Sequence, residues 1–158
     1  MSQEQMPIPF HVFNFLVEFA ETSLSDESKS TELVLCSGAF SECTGLEATM
    51  EHKVVKEGGR NYGTAQRVGQ VTFATVVLKR GITSEQHLWK WFEFVSGGAS
   101  AYRMNVTITL RDSAGQPVLR WRLDNALPVK FKAADFNAKG GDIGIEELHL
   151  VHEGLRQA

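Results

Sequence analysis

The strongest constraint on this chain is an uninterrupted period-two alternation. Tyr102, Met104, Val106, Ile108 and Leu110 occupy every second position, and Arg103, Asn105, Thr107, Thr109 and Arg111 fill the positions between them. In a strand, successive side chains point to opposite faces, so this pattern folds only as a strand with one apolar and one polar face. Asp112 to Gly115 carries turn residues. Beyond it, Leu119, Trp121 and Leu123 resume the apolar set with Arg120 and Arg122 opposite. The two runs predict an antiparallel hairpin that buries one face and wets the other.

Similar patterning recurs along the chain. Phe10 to Phe19 places Phe13, Phe15, Val17 and Phe19 on one face, and Glu47 to Glu57 does so with Ala48, Met50, His52 and Val54. Leu33 to Phe40 is a further apolar stretch, and Val71 to Leu78, Val129 to Phe136 and Ile143 to His152 read as strands, with Asn125 to Pro128 as a break. Glu21 to Glu32, rich in serine and charge, reads as a surface loop. Residues 56–69 hold Gly58, Gly59, Gly63 and Gly69 with few apolar side chains, which predicts a long loop or an extended hairpin end. One helix is expected over about 84–96. Thr83 and Gln86 have capping-box spacing, Leu88, Trp91, Phe92 and Val95 recur at helical spacing beside Trp89, and Gly97-Gly98 stops the run. About seven or eight strands and one helix, without βαβ alternation, predict a mainly β fold. Its form is two packed antiparallel sheets, a sandwich or barrel, with one flanking α-helix, and residues 1–158 make a single domain.

Composition excludes several functions. The 158 residues carry 16 basic and 19 acidic side chains, a net charge of −3, which gives no general attraction to nucleic acid or an anionic membrane. No apolar run approaches the roughly 20 residues that span a bilayer. Met1 to Pro9 has neither the basic nor the apolar region of a signal peptide, so the chain is expected in the cytoplasm until something releases it. Cys36 and Cys43 are expected as reduced, partly buried thiols. His11, His52, His87, His149 and His152 lack ligand spacing, and His149 and His152 point to opposite faces of their strand, so no metal site is expected. The carboxylate pairs Glu146-Glu147 and Glu85/Glu93 do not face each other across a cleft as a glycosidase requires. There is no nucleophile elbow and no phosphate-binding loop, and Gly58-Gly59 is read as turn geometry. No enzyme and no cofactor are expected. Arg103, Arg111, Arg120 and Arg122 form a basic stripe opposite the aromatics, which suits a solvated sheet face or a charged channel wall better than base stacking.

A series of short strings crosses nearly the whole chain in order. These are Phe40-Ser41-Glu42-Cys43-Thr44-Gly45-Leu46-Glu47, then Lys56-Glu57-Gly58-Gly59-Arg60-Asn61, then Leu78-Lys79-Arg80-Gly81 before the helix with Trp89 and Trp91. Val106-Thr107-Ile108-Thr109-Leu110 follows with Asp112 and Gly115, then Trp121 to Pro128, Ile145-Glu146-Glu147-Leu148 and His152-Glu153-Gly154-Leu155. In order and spacing they resemble the tail tube family of contractile phages and extracellular contractile injection systems. The resemblance implies an inner tube subunit that forms six-fold rings. These stack into a hollow rod inside a contractile sheath, which drives the rod through a target envelope. One sheet of each subunit would join its neighbours in a barrel around the lumen. The resemblance places Glu57, Gly58, Gly59, Arg60, Asn61, Tyr62 and Arg67 in a loop that reaches other subunits. Lumen-facing positions are then expected among Arg103, Thr107, Arg111, Arg120 and Arg122. Implied partners are further copies of the chain, a sheath protein, a baseplate or initiator tube protein, a cap or terminator, and cargo in the lumen, with no membrane in the free state. Assembly would occur in the producing cell's cytoplasm, as part of a phage tail or of a released or anchored injection particle. Other readings are a tube-initiator or baseplate-proximal paralogue, a type VI secretion tube protein, a monomeric carbohydrate-binding sandwich and a small hydrolase using Glu146 or His149.

Overall fold

The alternating runs fold into one antiparallel sheet that doubles back on itself. The computed structural model describes residues 10–11, 14–21, 38–84, 86–98 and 101–158. Phe13, most of the serine-rich segment, Leu33 to Ser37 including Cys36, and Glu85 lie outside the described residues. The strands are β1 (Phe15–Glu21), β2 (Gly38–Ala39), β3 (Glu42–Thr44), β4 (Ala48–Val55), β5 (Ala65–Phe73), β6 (Val76–Gly81), β7 (Met104–Arg111), β8 (Pro117–Lys132), β9 (Ile145–Val151) and β10 (Gly154–Gln157), and the helix is α1 (His87–Ser96). Hydrogen bonding orders the main sheet β2-β1-β7-β8-β9-β6-β3, with β10 also on β8, while β4 and β5 pair only with each other.

The alternation in β7 and β8 sets the register: Val106, Ile108 and Leu110 pair with Leu123, Trp121 and Leu119, and Thr107 and Thr109 pair with Arg122 and Arg120. Asp112 Oδ1 closes the turn by accepting from the Ala114 and Gln116 N–H groups at 3.0 and 2.9 Å.

Asn125 to Pro128, expected as a break, lies inside the 16-residue strand β8. The segment is a corner. Before it, β8 pairs with β7 and β10, and after it with β9. Asn125 takes a φ of 49°, unusual without glycine. Its N–H donates to Asn105 Oδ1 (3.2 Å) and its Nδ2 to Glu153 Oε2 (2.7 Å), which pin the bend. A strand that changes sheets at such a corner folds one sheet into two facing layers. The first layer is β2-β1-β7-β8-β10 and the second β8-β9-β6-β3. Val17, Val106, Ile108 and Leu123 of the first meet Val76, Leu78, Leu148 and Leu150 of the second in one core. The expected single strand Val71 to Leu78 is two, because β5 ends at Phe73 and β6 begins at Val76.

Helix α1 seals one flank of this core with buried Leu88 and Trp91. Trp91 meets Phe19 edge-on at 5.7 Å, and Trp89 packs on Phe92 and Phe131 at 5.8 and 5.4 Å. The helix starts at His87, later than expected from Ser84, and the expected capping box does not form. Instead Gln86 Nε2 donates to the Thr83 carbonyl at 2.9 Å, inside the lead-in turn. Gly97 closes the helix, its N–H donating to Glu93 O. No described helix is long and apolar enough to cross a membrane.

Candidate assembly surfaces

Three surfaces carry side chains that the chain's own core does not satisfy. The first is the pair of outward sheet faces, beginning with that of the first layer. Glu18, Thr107, Arg122 and Arg156 follow one another in register across β1, β7, β8 and β10, and Arg120 lies opposite Thr109. Asp124 accepts from Arg122 Nε at 3.0 Å and Arg156 Nε at 2.6 Å. Of the expected lumen positions, Thr107, Arg120 and Arg122 share this face. Arg111 sits at its margin, its Nη2 donating to Asn14 Oδ1 at 3.1 Å. Arg103 precedes β7, its Nη1 donating to Tyr102 O at 3.0 Å. Glu18, Asp124 and Arg156 belong to the face but escaped sequence reasoning. Only the alternation of Leu155 inward and Arg156 outward in the short strand β10 would have signalled the last.

The second layer's outward face carries charges of alternating sign, with Lys132, Glu147, Lys79 and Glu42 in one row. Lys79 Nζ lies 3.0 Å from Glu42 and 3.7 Å from Glu147. A hydrogen bond from His149, at 3.3 Å, and the nearby lysines hold the Glu147 carboxyl below its usual range, while Glu42 raises Lys79. Glu146 points the other way, buried beside Arg80, whose Nε donates to Oε1 at 2.6 Å. Glu146 and Glu147 therefore sit on opposite sides of the sheet. Among the described residues no cluster of His, Cys, Asp or Glu suits a metal ion.

The second surface is the β4–β5 hairpin. The expected loop 56–69 is shorter, since residues 65–69 belong to β5 and only 56–64 form the tip. Glu57, Gly58, Gly59, Arg60, Asn61 and Tyr62 lie in this tip, and Arg67 lies in β5 opposite Lys53. Arg60 approaches Glu57 at 3.6 Å, and Tyr62 is almost wholly exposed. A bulge shifts the register where Gly69 packs so closely on the Glu51 carbonyl that a Cβ would collide with it. The bulge brings Val68 onto the same side as Val71. Ala48, Met50, His52 and Val54 with Gln66, Val68, Val71 and Phe73 then share one mostly apolar face. Met50, Val54, Val68 and Val71 on it are exposed.

At the hairpin's root Gly45 adopts φ +89°, and a Cβ there would run into the Thr75 carbonyl oxygen. This contact between incoming and outgoing strands explains the glycine of the Cys43-Thr44-Gly45-Leu46 string. Phe73 packs on the His152 ring at 5.1 Å. His152 Nδ1 lies 3.0 Å from the Gly154 carbonyl oxygen, and its buried Nε2 has no hydrogen-bond partner. Burial holds this imidazole below its ordinary pKa.

The third surface is a gap of about 420 Å³ between the layers, lined by Phe15, Cys43, Leu46, Leu110, Leu119 and Trp121 among others. Burial pushes the Cys43 thiol up to about 11.

Known proteins share this arrangement. A cryo-EM structure of the anti-feeding prophage baseplate, six-fold symmetrised, contains a chain 29% identical, with TM-score 0.79 and 97% of each chain covered. A chain from the sheath-tube complex of the extracellular contractile injection system PVC, in its extended state, is 21% identical (TM-score 0.72; 98% of this chain, 93% of that one). A chain of that system's sheath/tube terminator is 21% identical with TM-score 0.74 and 99% of each chain covered. A type six secretion system protein, at 8% identity and TM-score 0.58 over 92% of this chain and 82% of that one, shares the fold alone. No curated protein sequence matches. Residues 11–156 match the family described as T4-like virus tail tube protein gp19. The chain therefore belongs to the T4-like virus tail tube protein family and is a structural tube subunit of a phage tail or contractile injection particle.

Proposed function

We propose that this chain, folded as a single tail-tube domain, forms six-fold rings that stack into the hollow tube inside a contractile sheath, with the first layer lining the lumen. The supporting observation is the combination of face and margins in that layer. Its outward face is polar from Glu18 to Arg156, and among the described residues its margins, β10 on one side and β1 with two-residue β2 on the other, have no further strand partner. A conduit wall must be wettable, and open strand edges call for partners. Head-to-tail pairing of the margins closes a ring and removes the edges. With the two-residue β2 left out, the four strands β1, β7, β8 and β10 from each of six copies give a barrel on the order of 45–50 Å across at the backbone, for strands about 4.8 Å apart and tilted about 40°.

In this reading Thr107, Arg120 and Arg122 face the lumen beside Glu18 and Arg156, and Arg111 lies at the rim. The role is mechanical, without catalysis. The partners are further copies, sheath, baseplate or initiator, cap or terminator, and luminal cargo. Assembly takes place in the cytoplasm of the producing cell. The relatives seen in baseplate, sheath-tube and terminator structures support these partners.

Thiol labelling tests the reading. With Cys36 and Cys43 replaced by serine, a Thr107→Cys subunit reacts with a bulky maleimide when free. In capped tubes it reacts only with a small one. Equal reaction with the bulky reagent in capped tubes contradicts a luminal position.

A further inference from the structure

His152 stands where three parts of the molecule meet. The turn from β9 to β10 carries it, and its ring packs on Phe73, the last residue of the β4–β5 hairpin, at 5.1 Å between centroids. β4 and β5 pair only with each other, so this ring contact ties the hairpin to the body where no strand pairing does. On the other side, His152 Nδ1 lies 3.0 Å from the carbonyl oxygen of Gly154, the first residue of β10. Gly154 in turn packs so tightly on Asp124, its partner in β8, that a Cβ would stand 2.9 Å from Asp124 Oδ2. A carbonyl oxygen only accepts, so Nδ1 carries the proton of the neutral ring and Nε2 is left as a bare acceptor. That nitrogen is buried and has no hydrogen-bond partner.

We infer that His152 is a latch operated by pH: neutral, it holds the hairpin root and β10 in the arrangement that assembles, and protonated, it releases both, so that tubes stop growing in mild acid while the subunit is still folded. The inference rests on the tube reading and adds a control to it. A second proton has to go on Nε2, where it creates a buried N–H and a positive charge with no oxygen or nitrogen to receive them. β5 presents Phe73, which offers a cation a ring face but no acceptor. β8 presents Asp124, whose carboxylate is already shared by Arg122 at 3.0 Å and Arg156 of β10 at 2.6 Å. The turn itself presents Glu153, whose Oε2 accepts from Asn125 Nδ2 at 2.7 Å. None of these groups reaches Nε2, and burial accordingly holds the imidazole below its ordinary pKa. Turning the ring out to water solvates the cation and leaves Phe73 and the Gly154 carbonyl without their partner. The hold of the neutral ring is present above about pH 6.5 and lost as pH falls from there through the folded value, so release belongs to that window. Both freed elements matter to a tube. β10 is a margin of the proposed ring, and the hairpin carries exposed valines that its own subunit leaves uncovered.

The test uses the full chain, alone and in tubes grown with sheath and baseplate proteins, at about pH 7.5 and about pH 5, on either side of the ordinary imidazole value. Tube yield of the unaltered chain is expected to fall roughly tenfold or more at the lower pH, with its circular dichroism unchanged. In the free subunit, hydrogen exchange at residues 73–75 and 153–157, corrected for the intrinsic effect of pH, rises with the same midpoint as the His152 ring titration followed by NMR. Amides of the β7–β8 hairpin do not follow. His152→Gln and His152→Phe cannot titrate, and their yield and exchange are expected to stay the same at both pH values. Equal yield of the unaltered chain at both values, the same fall in a folded variant, or an exchange midpoint apart from that of His152 overturns the inference. Should neither variant fold, the two midpoints in the unaltered chain decide. No tubes from the unaltered chain at neutral pH refutes the tube reading itself, and the midpoints then still decide whether His152 latches the hairpin root and β10.

Discussion

Glu146 shows how much one side chain can hold. Its carboxylate is 2% exposed and sits against Arg80, itself only 7% exposed, whose guanidinium lies 5.6 Å from the Phe40 ring centroid. Removing one member of a buried ion pair strands the other charge, which costs about 3–5 kcal/mol. Glu146→Ala is therefore expected to lower the melting temperature by roughly 10 °C, while Glu147→Ala, on the exposed side, changes it little. Calorimetry of the two variants separates them, and equal shifts would contradict the assignment of faces. Gly45→Ala places a methyl group against the Thr75 carbonyl at a positive φ, where backbone strain alone is about 1–3 kcal/mol. Reduced thermal stability together with lost tube formation is expected. His152 is expected to make the subunit's stability fall in mild acid. Its folded pKa is depressed by burial, so the stability from neutral His152 is present above its ordinary value of about 6.5 and lost as pH falls from there through the folded value. The hydrogen bond to the Gly154 carbonyl and the charge of Asp124 oppose the shift without cancelling it. Denaturant melts of His152→Gln should lose that slope. At this scale the sequence was partly legible. Alternation alone separated Glu146 from Glu147, but the identity of Arg80 as the buried partner depends on strand pairing 66 residues apart.

Elements were legible where periodicity ran unbroken and obscure where local chemistry and long-range pairing disagreed. The helix and the β7–β8 hairpin followed from spacing. The Asn125 to Pro128 corner did not, because proline and asparagine usually mark a strand's end. Here a positive φ and two side-chain hydrogen bonds carry the strand around the bend. Strands β3 and β10, of three and four residues, are too short for a period to show. The glycine-rich stretch looked like a long loop because its valines are three apart, and only the bulge at Gly69 puts them on one face. Two outcomes follow for the elements. Trp91→Ala empties a fully buried site beneath Phe19 and should cost about 3–5 kcal/mol. An unchanged melting temperature would show that α1 does not seal the core. Trypsin should cut the free subunit after Lys56 and Arg60 in the hairpin tip, more slowly after Arg67 because that residue is paired, and none of these in assembled tubes. Equal cleavage in both states would mean that the hairpin takes no part in assembly.

At the scale of the molecule, one folded sheet presents two outward faces of different character. One is crossed by Glu18, Thr107, Arg122 and Arg156, the other by the ion row from Lys132 to Glu42. Thr107, Arg120 and Arg122 of the first face followed from alternation in the sequence, while Arg103 lies off it and Arg111 only at its margin, and its edges and acidic members required the topology. The exposed valines of the hairpin and the outer edge of β10, which no described strand covers, suit the proposed tube subunit. The most direct test is electron microscopy of the chain expressed with its sheath and baseplate proteins, alongside sedimentation of the chain alone. The account predicts rods with a central channel and axially repeating rings of six subunits. A species that remains monomeric at high concentration and enters no particle in the co-expression would contradict it.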